Sequence, residues 1–183
     1  MSRIPTPATI ADAPITSQPL LEAVNAQFGI VPNMFRLIST SPHALEAHLG
    51  MLGALGKGDL AAPTRERIAL AVAEVNGCAY CLSAHTYIGK HIANLDDAEM
   101  TANRSGASND PKADAAVRFA AKVARQRGRI GETDITAVRR AGYTDAQLLE
   151  IVQHVVLNTW TFYVNEIFGT EIDFPVVEVR KAA

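Results

Sequence analysis

Apolar positions along this chain recur at spacings of three and four, and Pro, Gly and small polar residues interrupt them. That pattern predicts a succession of helices and no sheet. Ser17 is placed to cap a first helix through Phe28 that stops at Gly29, and Asn33 to cap a short turn through Ile38. Ser41-Pro42 opens a third helix, in which Leu45, Leu49, Leu52 and Leu55 form one apolar stripe expected in the core. Pro63 suits a first helical turn, and Arg65 to Val75 reads as a largely buried helix closed by Asn76-Gly77. Cys78 to Ile92 follows. Asp96 caps a short piece ending at Gly106, Asp110-Pro111 begins a helix through Gln126, and Thr133 begins one that ends before Gly142. Thr144 with Gln147 makes a capping-box start to a long helix, Asp145 to Phe168, that is apolar all round. It is expected to be either the central helix of the monomer or part of a subunit interface. Residues 1–16, broken by Pro5, Pro7 and Pro14, read as an extended arm that wraps a neighbour or stays mobile. Residues 17–183 read as one helical domain whose tail from Ile172 is extended.

Composition agrees with an all-α fold. Of the 183 residues 48% are hydrophobic but only 6% aromatic, so small side chains must lie between closely packed helices. A net charge of −2 with interspersed signs leaves no basic stripe, and nucleic acid is not an expected partner. The sequence has neither a signal-peptide core nor a membrane span, so a cytoplasmic protein without membrane contact is expected.

The chemistry lies between the fourth and fifth helices. A thiol reacts as thiolate, with an ordinary pKa of about 8.5 that a helix N-terminus or a nearby base can lower. Cys78 follows Asn76-Gly77 at a helix start, Cys81 lies three residues on, within disulfide reach, and His85 lies on the same face four residues later. In an antiparallel hairpin about Gly77, a rise of about 1.5 Å per residue puts Glu66 about 15 Å and His85 about 10 Å from the turn, so Glu66 can orient His85. Glu74 falls beside the turn, where a carboxylate would oppose a thiolate unless it faces away; its role stays open, as does that of Tyr80. His43, His48, His91 and His154 read as packing or solvated residues, and His154 needs a partner if it is buried. Two other readings of the cysteines are a buried apolar pair and a metal site built from Cys78, Cys81, His85 and Glu66.

The run of Glu66, eleven intervening residues, Cys78-Ala79-Tyr80-Cys81 and then His85 resembles the active site of the alkylhydroperoxidase D group within the carboxymuconolactone decarboxylase superfamily. Gly29-Ile30-Val31-Pro32-Asn33-Met34-Phe35, Asn76-Gly77-Cys78, and Asn165 followed by Thr170-Glu171-Ile172-Asp173-Phe174-Pro175 resemble its peroxidase-related branch. The resemblance implies a multi-helix bundle with the cysteine pair at the N-terminus of a central helix, assembled as a homotrimer or hexamer. It also implies a peroxidase or thiol-disulfide oxidoreductase in which Glu66 orients His85, His85 deprotonates Cys81 through water, Cys81 attacks the peroxide and Cys78 resolves the product. An external dithiol protein would then reduce the disulfide, with no cofactor and no metal. Tyr80 departs from the pattern, since the best-known peroxidases of the group carry histidine between the cysteines. The lactone decarboxylase branch lacks the cysteine pair, so decarboxylation is not expected. The alternative is a non-enzymatic redox-sensing or metal-binding helical oligomer.

Overall fold

A computed structural model describes residues 2–180. Among them nine helices occur and no strand: α1 Gln18–Phe28, α2 Asn33–Ile38, α3 Pro42–Gly56, α4 Ala62–Asn76, α5 Ala79–His91, α6 Asp97–Arg104, α7 Pro111–Gln126, α8 Glu132–Arg140 and α9 Asp145–Phe168.

Most boundaries fall where local chemistry put them. Ser41 Oγ accepts the Ala44 N–H, the Asp96 side chain that of Glu99, and Asp110 those of Lys112 and Ala113. Thr144 and Gln147 make both capping-box bonds at the head of α9. Three expected caps differ. Ser17 precedes α1, but its buried hydroxyl donates to the Ser39 carbonyl and ties α1 to the end of α2. Asn33 is the first residue of α2 rather than its cap, because its N–H and its side-chain amide are drawn to Asp173 and Glu171 of the tail. At α8 the cap is Gly131, whose N–H is accepted by Asp134, and Thr133 lies within the first turn.

The helix at the centre of the monomer is α4. Six consecutive residues, Ile68 to Ala73, are buried, so every side of the helix is covered. Alanines make this possible: Ala116 and Ala120 of α7 let that helix close on Ile68 and Val72, and Ala71 meets Val117 and Ala121. Around α4 stand α5, α6, α7 and α9. Of the α3 stripe, Leu45 and Leu55 are buried while Leu49 and Leu52 are half-buried against Trp160 and Phe168 of α9.

Two features of α9 follow from that arrangement. Ile151, Val155, Leu157 and Val164 pack inward, whereas Leu149, Val152, Val156, Tyr163 and Ile167 are exposed. At about 100° per residue those five lie within one 60° arc, a continuous apolar stripe facing outward. Residues 2–16 hold no helix and lie on their own chain: Arg3 donates to the Phe168 carbonyl through its N–H, and Ala13 is buried with Ile10 and Ile4 in the same cluster as Leu21.

Candidate active site

The α4–α5 turn is built by Gly77, whose φ of +73° lies in the left-handed region that a side chain disfavours. Its conformation reverses the chain so that α5 returns along α4. Cys78 then sits at the N-cap, its Sγ accepting the Cys81 N–H at 3.1 Å, and the two cysteines are joined as a disulfide. One turn further, His85 Nδ1 and Glu66 Oε2 are 2.8 Å apart, the pairing across the hairpin that the helical rise anticipates. With Nδ1 engaged by the carboxylate, Nε2 is the nitrogen available for proton exchange.

The residues flanking Glu66 have other partners. Arg65 donates to the Leu55 and Gly56 carbonyls at the end of α3, and Arg67 pairs with Glu99 at 2.6 Å. Burial alone would raise the Glu99 carboxyl, but hydrogen bonds from Ser108, Asn103, the Asn109 N–H and Arg67 outweigh it and hold its pKa at about 2. Glu74 faces away from the cysteines, with one oxygen on Arg104 at 2.5 Å and the other accepting the Arg180 N–H at 2.7 Å. Its function is to anchor the tail, and this settles the question its position beside the turn raises.

Tyr80 has a comparable role. Its hydroxyl donates to Asp173 Oδ1 at 2.9 Å and accepts the Met34 N–H at 3.2 Å, while its ring meets Phe174 edge-on. Burial, together with the Asp173 carboxylate, raises its pKa far above the ordinary phenol value, so it remains a protonated donor. Tyr80 is therefore a strut between the cysteine helix and the tail.

The tail is irregular and crosses the start of α5. Ile172, Phe174, Val177 and Val179 pack on the cluster that contains both cysteines, and the Val177 N–H donates to Ser83 Oγ at 2.9 Å. Covered in this way, Cys78 is 2% and Cys81 3% exposed. The tail covers the sulfurs, so its release is expected to ease access for a reductant. Asp173→Ala removes the Tyr80 and Asn33 contacts, and a hydrogen bond to a charged group contributes about 1.5–3 kcal/mol. The expected result is a roughly tenfold faster reduction of the Cys78–Cys81 bond by dithiothreitol, followed by quenched thiol counting. An unchanged rate would mean that access does not run under the tail.

One residue at the sulfurs was not picked out by its spacing from the cysteines. Asn165 of α9 is 5% exposed, and its Nδ2 lies 3.6 Å from Cys81 Sγ and 3.5 Å from Met34 Sδ. Its signals in the sequence are its place in the stretch that resembles the peroxidase-related branch and a polar side chain within the largely apolar stretch Phe162 to Phe168. His154, also 5% exposed, lies in the electrostatic neighbourhood of Arg65, Glu150, Glu66 and His85, and burial first, then Arg65, lowers its pKa to about 4. Its Nε2 finds no partner among the described residues. His48 is buried against Phe35 and stacked on Trp160 at 4.8 Å, whereas His43 is exposed and His91 rests on Tyr87. No group of three or more His, Cys, Asp or Glu side chains among the described residues could hold a metal ion.

Comparison with known proteins agrees with this geometry. Residues 41–126, which contain Glu66, both cysteines and His85, match the model of the carboxymuconolactone decarboxylase family. A peroxidase-related protein from Ralstonia eutropha JMP134, described as an alkylhydroperoxidase core, superposes with a TM-score of 0.83 at 25% identity, covering 94% of this chain and 92% of that one. A second peroxidase-related protein, from Silicibacter sp. TM1040, gives 0.79 at 26% identity over 92% of each chain. The debrominase Bmp8, in complex with 2,3,4-tribromopyrrole, shares the fold at a TM-score of 0.79 and 18% identity, covering 94% of each chain. No curated protein sequence gives a significant match. The chain has the alkylhydroperoxidase D-like fold, and its segment 41–126 is similar to the carboxymuconolactone decarboxylase family. Among its described residues no helix is long and apolar enough to cross a membrane.

Proposed function

We propose that the protein is a cysteine-dependent peroxidase that reduces hydroperoxides through a Cys78–Cys81 dithiol/disulfide cycle. The observation that carries this reading is the joined cysteine pair at the start of α5, with the Glu66–His85 hydrogen bond one turn further along the same hairpin. Glu66 holds the imbalance of charge that forms when His85 gains a proton, and His85 takes that proton from the Cys81 thiol through water. The thiolate attacks the distal peroxide oxygen: an S–O bond forms, the O–O bond breaks, and the alcohol leaves with a proton. Cys78 then attacks the Cys81 sulfenic acid, forming the S–S bond and releasing water. An external dithiol protein takes up the two oxidising equivalents and returns both thiols.

Stopped-flow consumption of an organic hydroperoxide by the pre-reduced protein, with thiols counted before and after, tests the reading. Loss of two thiols per chain in step with peroxide supports it, and two persistent thiols would end it. Within that assay, His85→Ala is expected to slow consumption by about 100-fold, the scale of general-base catalysis. Glu66→Gln, which removes only the charged partner of the imidazole, is expected to cost about tenfold. Glu74→Gln should act on the tail alone and leave the peroxide step of the reduced protein within about twofold, since its oxygens are held by Arg104 and Arg180. Equal rates across wild type, His85→Ala and Glu66→Gln would remove the relay.

The same reading includes a cytoplasmic homo-oligomer. The exposed stripe of Leu149, Val152, Val156, Tyr163 and Ile167 supports it, because contiguous apolar surface on this scale is unusual on a monomer. Sedimentation velocity at micromolar concentration is expected to give a trimer or larger, and Val156→Glu to dissociate it. A monodisperse monomer of the wild type would refute this part.

A further inference from the structure

Both sulfurs of the pair have one N–H donor, but from different sources. The Cys81 backbone N–H serves Cys78, and the Asn165 side chain serves Cys81 from a helix 84 positions along the chain. Asn165 is deeply buried, and each contact of its Nδ2 is to sulfur, Met34 Sδ and Cys81 Sγ. Neutral sulfur is a weak acceptor. Its Oδ1 has no hydrogen-bond partner among the described residues. A buried amide that spends its donors on the weakest acceptors and leaves its oxygen unmatched is poorly suited to holding the fold together, and such a group calls for a functional account.

Ionisation of Cys81 changes that balance. A thiolate is a strong acceptor, so an N–H already aimed at Sγ gains strength when the proton leaves and favours the charged state. Apart from the water-mediated route to His85, the surroundings offer Cys81 little other help. It is 3% exposed, lies among Leu70, Leu82, Met100 and Phe162, and the N–H at its own position is already used by Cys78. Burial by itself would oppose the anion.

We propose that Asn165 is a catalytic residue that stabilises the Cys81 thiolate through its side-chain N–H, making Cys81 the attacking sulfur and Cys78 the resolving one. The assignment rests on the peroxidase reading for the word catalytic, but the thiolate contact can be tested without it. The two sulfurs are distinguished by their donors: the helix start favours charge on Cys78, and Asn165 shifts the preference toward Cys81. The unmatched Oδ1, on the same planar amide, is an acceptor close to the sulfur that suits the O–H of an incoming hydroperoxide.

The test is the pH dependence of alkylation of the fully reduced chain by iodoacetamide between about pH 5 and 10, with fragment-ion mass spectrometry reading Cys78 and Cys81 separately. Asn165→Ala removes the donor, and Asn165→Leu replaces it with an uncharged apolar side chain of nearly the same shape, so the packing is retained. Both are expected to move the Cys81 inflection upward by about one pH unit or more, a roughly tenfold loss of alkylation near neutrality, and to leave the Cys78 inflection in place. An unmoved Cys81 inflection in Asn165→Leu overturns the proposal, as does an equal movement of both inflections. Hydroperoxide consumption by the wild type is measured in parallel. An Asn165-dependent inflection without peroxide consumption retains the thiolate contact and rejects the peroxidase. Consumption with an unmoved inflection retains the peroxidase and rejects Asn165.

Discussion

Cys81→Ser will abolish thiol-dependent peroxide consumption, whereas Cys78→Ser will still consume one equivalent and then stop. The two outcomes differ because the cysteines have different neighbours. His85 follows Cys81 by one helical turn and is held by Glu66 at 2.8 Å, so the proton acceptor is on the Cys81 side. Serine at position 81 presents a hydroxyl whose proton is lost far less readily and whose oxygen cannot be oxidised in the same way. Without Cys78 the first step is unaffected, but no resolving thiol is present, so Cys81 should remain as a sulfenic acid that dimedone traps. If Cys78→Ser loses activity and Cys81→Ser retains a single turnover, the roles are reversed and the helix-start dipole at Cys78 outweighs the His85 side.

Acidification from about pH 6.5 to 4 will cost the protein several kcal/mol of folding stability, and the loss begins well above the range in which ordinary carboxylates titrate. His48 and His154 are the cause. Burial lowers His48 from 6.5 to about 4, its ring lying between Phe35 and Trp160. For His154, burial and then Arg65 act in the same direction, with His85 adding a little, while Glu150 and Glu66 oppose. The sign follows from proton counts. Between the two pKa values the unfolded chain binds protons that the folded chain refuses, so stability is complete above about 6.5, falls as pH drops, and levels off below about 4. Each histidine contributes about 3 kcal/mol over that window. Glu99 acts in a lower window, its carboxyl held at about 2 against an ordinary 4.5, so it does not account for losses above pH 4.5. Urea unfolding at a series of pH values should show the slope in the wild type and a much flatter curve in His48→Gln/His154→Gln. A slope equally steep in that double variant would contradict the assignment.

Much of the architecture could be read along the chain because helix ends are local. Ser41 with Ala44, Asp96 with Glu99, and Thr144 with Gln147 are contacts over three residues, and they formed where the sequence places them. The Glu66–His85 pair was also legible, although the residues are 19 apart. One tight turn at Gly77 makes their relative height a matter of counting residues at a fixed rise. Where a side chain had a choice between a local cap and a distant partner, counting failed. Ser17 reached for Ser39, and Asn33 for the tail. The apolar circumference of α9 suggested either a central helix or part of a subunit interface; α4 holds the central place, since its alanines admit neighbours on all sides.

By itself, the sequence determined the helices, most of their ends, and the nearness of Glu66, the cysteines and His85 along one hairpin, because helical periodicity and capping act within a few residues. Only the tertiary structure decided the rest. It brought Asn165 to Cys81, turned Glu74 toward Arg104 and Arg180, made Tyr80 a strut to Asp173, and closed the tail over the sulfurs. These pairings join residues 30 to 106 positions apart. No local rule links such residues; they meet because burying apolar surface around α4 fixes where α6, α9 and the tail lie, and their polar groups must then find partners in the space that remains.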